Sequence, residues 1–98
     1  MNATLAQQTP GHFLVSGELS FATVTELLAQ SRSLFTEPRI DIDLSGVTHA
    51  DSAGLSLLVE WLREAKHQSR ELHYSSLPVQ LQALADISEV QGLFSQSA

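Results

Sequence analysis

Residues 44–55 constrain this chain more than any other stretch. Ile40, Ile42 and Leu44 alternate with Asp41 and Asp43, the two-residue period of a strand with one buried and one wetter face. The sequence then reads as a loop through Ser45-Gly46-Val47-Thr48-His49-Ala50 and enters a helix at Asp51-Ser52-Ala53-Gly54. Acidic, hydroxyl and small residues therefore gather where the backbone N–H groups of a helix lack partners inside it. Such a turn suits a cap, a bound anion or a close-fitting partner.

Regular elements are legible on either side. Thr9-Pro10-Gly11 is a turn signal between two apolar segments, 3–8 and 12–18, so a β-hairpin is predicted. Thr23-Val24-Thr25-Glu26 has the pattern of a capping box. Val24, Leu27, Leu28, Leu34 and Phe35 follow it at helical spacing, and Pro38 favours a stop. A strand is predicted over 39–44, a second helix over 52–68 and a short strand over 71–75, with Leu72 and Tyr74 on one face. Pro78 opens a third helix to about residue 87 carrying Leu81, Leu84 and Ala85. Val90, Leu93 and Phe94 form a last apolar segment, and residues 95–98 are expected to fray. The order ββαβαβα predicts an α/β fold: one domain over 1–98, with a mixed sheet that opens on an antiparallel hairpin and helices packed mainly on one face.

In the second helix, Leu55, Leu58, Val59, Leu62 and Ala65 define the predicted core stripe, with Glu60, Arg63, Glu64 and His67 opposite. Ala53, Leu57 and Trp61 stand at i, i+4 and i+8 and make a separate ridge. Two readings of that ridge stand. It packs under a neighbouring helix or loop, or it is exposed and docks another protein.

Composition excludes several functions. A net charge of −6 on 98 residues argues against nucleic acid, whose affinity comes from basic patches. The five basic residues are too few to hold an anionic membrane surface against that charge. Without cysteine there is no disulfide, thiolate metal site or cysteine nucleophile. The four histidines lack metal-ligand spacing, and no glycine-rich phosphate loop is present, so no cofactor or metal is expected. The first residues have neither the basic nor the apolar region of a signal peptide, and no apolar run reaches transmembrane length. The expectation is a cytoplasmic chain that meets a membrane only through another protein.

His49, Asp51 and Ser52 invite comparison with a Ser-His-Asp triad. Three residues crowded into one turn seldom reach the required geometry, and no G-x-S-x-G elbow is present. Asp51 reads as a helix cap and Gly54 as a point of close packing. Ser52 assists the cap, meets a partner through its small size, or carries a phosphoryl group beside the positive helix end.

Asp41-Ile42-Asp43-Leu44-Ser45-Gly46-Val47 followed by Asp51-Ser52-Ala53-Gly54-Leu55 resembles the signature of STAS domains, the family of anti-sigma factor antagonists and transporter-associated domains. Gly17-Glu18-Leu19 matches that family's turn before the first helix. Within the family the chain is most similar to small cytoplasmic STAS subunits of bacterial ABC systems that move phospholipid between membranes. The resemblance implies a non-catalytic module that binds the ATPase subunit, supports assembly and activity of the transporter, and does not touch lipid. It centres the contact on His49, Asp51, Ser52, Ala53, Gly54 and Leu55, which Leu57 and Trp61 would extend. The alternative is an anti-sigma factor antagonist. Its phosphorylated members usually carry serine or threonine two residues after the motif aspartate, where this chain has Ala53. Ser52 is then the hydroxyl left to modify.

Overall fold

The computed structural model describes residues 2–87. Strands β1 (Ala3–Thr9) and β2 (His12–Leu19) form the hairpin, followed by α1 (Val24–Leu34), β3 (Arg39–Ala50), α2 (Ser52–His67), β4 (Glu71–Ser75) and α3 (Val79–Ile87). The sheet order is β1-β2-β3-β4. β1 runs antiparallel to β2, while β2, β3 and β4 are parallel. This is the ββαβαβα order and mixed sheet that the periodicities predict. The hairpin turns at Gly11, whose φ of +81° is a backbone conformation that favours glycine.

Phe13, Val15, Ile40, Ile42 and Leu44 point into one core with Leu27 from α1, Leu58 and Trp61 from α2 and Leu81 from α3. Their alternate neighbours Leu14, Ser16, Asp41, Asp43 and His73 are only half-buried, so the second face of the sheet is the wetter one. Tyr74 closes the core under α2, its hydroxyl donating to the Leu58 carbonyl at 2.7 Å. Burial raises the Tyr74 phenol well above its ordinary pKa, because the phenolate would lose its water.

Three local expectations need correction. The stretch after Leu44 is not a loop. β3 continues to Ala50, with Gly46 opposite Ser16, Val47 opposite Gly17, His49 opposite Glu18 and Ala50 opposite Leu19. The register shifts twice along this pair, each time because β3 holds one residue more than β2. Bulges of this kind erase the two-residue alternation by which a strand is recognised.

The capping box at the start of α1 does not form. Thr23 makes no side-chain cap. Its hydroxyl instead donates to the Glu18 carbonyl at 2.6 Å and accepts from the Ser20 N–H at 3.0 Å. Thr23 thereby ties the end of β2 to the start of α1.

The core face of α2 is rotated from the predicted stripe. Leu55, Leu58 and Ala65 are buried as expected, but Gly54, Leu57 and Trp61 are buried with them, while Val59 and Leu62 are only partly covered. The cause is α1, which lies beside α2. The Trp61 indole N–H donates to Ser31 Oγ at 2.8 Å, and its ring meets Phe35 at a centroid distance of 5.4 Å. Phe35 in turn meets Phe13 at 4.8 Å. The apolar segment at Val90, Leu93 and Phe94 and the fraying of 95–98 lie outside the described residues, as do the side chains of Leu84 and Ala85.

Candidate functional site

The site is the turn where β3 passes into α2. Its backbone is fixed from three directions. The Asp51 N–H donates to the Leu19 carbonyl at 3.1 Å, tying the turn to the end of β2. The Ala50 N–H donates to Gln80 Oε1 at 3.1 Å, tying it to α3. Asp51 Oδ1 accepts from the N–H groups of Ala53 at 2.8 Å and Gly54 at 3.4 Å, which makes Asp51 the N-cap. The residue is extended, with φ −117° and ψ −167°, as an N-cap requires.

Gly54 completes the turn by close approach. A Cβ there would lie 2.8 Å from Leu19 Cβ and 3.0 Å from the Leu19 carbonyl oxygen. Any side chain at this position would push α2 off the end of β2. The predicted roles of Asp51 and Gly54 therefore agree with the geometry.

This arrangement decides which residues reach the surface. Ser52 and His49 are exposed and Ala53 is half-buried. Ser52 contributes its carbonyl to the helix, accepting from Ser56 Oγ at 3.1 Å. Leu55 is buried, 7% exposed, and lies beneath the turn. The Asp51 carboxylate faces the helix backbone, so it does not orient the His49 imidazole in the manner of a triad.

The ridge of Ala53, Leu57 and Trp61 is corrected. Leu57 is 4% exposed and Trp61 is 1% exposed. Of the two readings, packing under a neighbouring helix is the one realised, because α1 covers this side of α2. Trp61 belongs to the core and offers no surface to a partner. Leu57 provides only the floor of a groove between α1 and α2. Leu55 is withdrawn as a surface contact for the same reason.

Two large apolar side chains that no sequence pattern singles out are exposed instead. Phe21 is 88% exposed and Val79 is 78% exposed, the exposed large hydrophobics among the described residues. Both flank the turn. Phe21 follows Leu19 and Ser20 at the end of β2, and Val79 precedes Gln80, which binds Ala50. Phe21 also stands at the mouth of the α1–α2 groove, an open hollow of about 540 Å³ that includes Ser52 and Ala53. The available signal was a large apolar side chain between β2 and α1 that fits neither period.

No group of three or more His, Asp or Glu side chains among the described residues is placed to hold a metal ion. No helix among them is long and apolar enough to cross a membrane.

The four-stranded mixed sheet and three helices among the described residues match a known STAS fold. The fold is similar to that of the anti-sigma factor antagonist SpoIIAA in its unphosphorylated form, with a TM-score of 0.72 at 15% identity over 94% of this chain and 84% of that one. The phosphorylated form of the Bacillus cell fate determinant SpoIIAA gives a TM-score of 0.68 at 16% identity, over 94% and 87%. SLC26A9 matches 93% of this chain with 17% of its own length, at a TM-score of 0.65 and 18% identity. At these identities the likeness establishes the fold. Residues 4–95 match the family model described as "Mlab, STAS domain", and the chain belongs to that family of MlaB-type STAS domains.

Proposed function

We propose that this chain is a non-catalytic binding module that docks on the ATPase subunit of an ABC transporter for intermembrane phospholipid transport, and supports its assembly and activity. It would meet the membrane only through that complex. Membership of the MlaB-type family supports the choice of partner. The observation that carries the site is that exposed Ser52 and exposed Phe21 share one surface hollow beside a turn held by Asp51 and Gly54. A surface with small residues at its centre, apolar residues at its edge and a fixed backbone loses little entropy on docking. Docking would favour whichever arrangement of the ATPase binds the module better.

The likeness to an antagonist solved in two phosphorylation states favours a second reading, partner switching on an anti-sigma factor. Against the usual form of that switch stands Ala53, which has no hydroxyl. A phosphoryl group on Ser52 would lie by the first N–H groups of α2 and place a dianion on the docking surface.

Affinity purification of the tagged chain from its own cells, with mass spectrometry, separates the readings. Recovery of an ABC ATPase is expected. Repeated recovery of a sigma-regulatory kinase with no ATPase would move the assignment to the second reading. Ser52→Arg is expected to leave the circular dichroism spectrum unchanged and to abolish ATPase capture. Unchanged capture would remove the turn from the interface.

A further inference from the structure

The α1–α2 groove is an apolar concavity beside the turn, and its shape and charge point to what fills it. Resting on the docking reading above, we propose that it receives a short amphipathic helix of the ATPase subunit, apolar on one face and carrying a lysine or arginine opposite Glu60.

The walls are two helices running side by side in the same direction. α1 and α2 pair their starts across the groove, and further along Ser31 meets Trp61 and Arg32 meets Glu64. Val24 and Leu28 come from one wall and Ala53 from the other, with Leu57 as the floor. From Ala53 to Glu60 the groove follows α2 for about 10 Å at 1.5 Å per residue, room for about two turns of a third helix. Such a helix anchors itself through residues three, four and seven apart. It would also bury Phe21, whose ring otherwise stands in water, 88% exposed.

Charge complementarity sets the partner's chemistry. Glu60 is the one charged side chain among the described residues lining the groove. Its ion pair with Arg63 spans 3.5 Å on the surface, and the Arg63 side chain is 75% exposed. A pair this exposed holds Glu60 weakly, so the carboxylate remains available to a second cation. The chain carries a net charge of −6, which favours approach of a basic segment. Continuity fixes the source of the helix, because Ser52 and Ala53 belong both to the groove and to the docking turn. An acyl chain fits less well. The hollow is open along its length and edged by the hydroxyls of Thr25, Ser52 and Ser56, so one side of the chain would stay wet.

Photo-cross-linking tests this on the assembled complex with the ATPase subunit. A benzophenone amino acid replaces Thr25, on the groove edge, or exposed His49, beside the turn. The expected result is that both positions label the ATPase, with Thr25 joined to a helical segment that contains Lys or Arg. Labelling from His49 alone would overturn the groove assignment and leave the docking reading standing. Labelling from neither would overturn both. Phospholipid cross-linked to Thr25, or found in the groove by native mass spectrometry, would make the occupant an acyl chain and contradict the proposal. In titrations with the purified ATPase subunit, Phe21→Ala and Glu60→Lys are each expected to weaken binding about tenfold, the range of a central interface residue. A Lys-to-Glu or Arg-to-Glu change in the labelled segment is expected to restore binding of Glu60→Lys. Unchanged affinity in both variants would refute the helix.

Discussion

The seam between α1 and α2 has two unlike ends. At the far end Phe13, Phe35 and Trp61 pack in series with their rings tilted, the indole N–H is satisfied by Ser31, and Arg32 and Glu64 pair across the outside at 3.3 Å. At the near end the same two helices part, leave a groove floored by Leu57, and set Phe21 in solvent. The difference is one of side-chain volume. Large aromatic residues fill the space between the helices where the domain needs cohesion. Small residues, Ser52 and Ala53, stand on α2 where the groove opens. The closed end should therefore govern stability and the open end binding.

The largest test of that division is Trp61→Ala. It removes a side chain 1% exposed from between Phe35 and Ser31 and is expected to destabilise the domain by about 3–5 kcal/mol. Chemical denaturation measures it, and a loss below about 1 kcal/mol would mean that the closed end does not hold the helices together. Ser31→Ala keeps the indole but strands its buried N–H. A loss of about 1–3 kcal/mol is expected, and thermal unfolding of Ser31→Ala beside wild type checks it.

At the open end Asp51→Ala leaves the N–H groups of Ala53 and Gly54 without their acceptor. The expected change is about 1 kcal/mol, read as a small shift in the denaturation midpoint. Phe21→Ala should change stability by less than about 0.5 kcal/mol, as for an exposed position, while weakening ATPase binding. If Phe21→Ala unfolds the domain as Trp61→Ala does, the contrast between the two ends is lost.

Tyr74, beneath α2, gives a distinct effect that appears in alkali. Burial favours the neutral phenol, so the folded-state pKa lies above the unfolded value. Below about pH 10 the phenol is neutral in both states and its contribution is fully present. Above that, the unfolded chain loses the proton while the folded one retains it, and stability falls as pH rises. Tyr74→Phe is expected to remove this part of the alkaline loss. Melting temperatures of the two proteins, compared through the alkaline range, report the difference. Parallel curves would show that the phenol titrates freely.

Much of this architecture was legible because it is set locally. The hairpin at Pro10-Gly11, the alternation of Ile40, Ile42 and Leu44, and the cap by Asp51 each depend on residues within a few positions. The misread features depend on distant neighbours. The end of β3 was hidden by two extra residues, which matter only through pairing with β2. Thr23 has the composition of a cap but bonds to Glu18 across the turn. The exposed reading of Leu57 and Trp61 failed because α1 packs on that side of α2, and helix-wheel position cannot encode a lateral neighbour. Exposure of Phe21 and Val79 was hidden for the converse reason, since nothing in their spacing reveals that no element covers them. The cap by Asp51 and the close approach at Gly54 were legible because size and capping chemistry are written in the sequence itself.

Hydrogen–deuterium exchange of the domain alone and with the ATPase subunit tests most directly whether the open end is the mating surface. New protection is expected over residues 49–56 and 21–28, with no change over 61–67. Protection confined to the wetter face of the sheet, around Asp41 and His73, with the turn into α2 exchanging as before, would contradict the account.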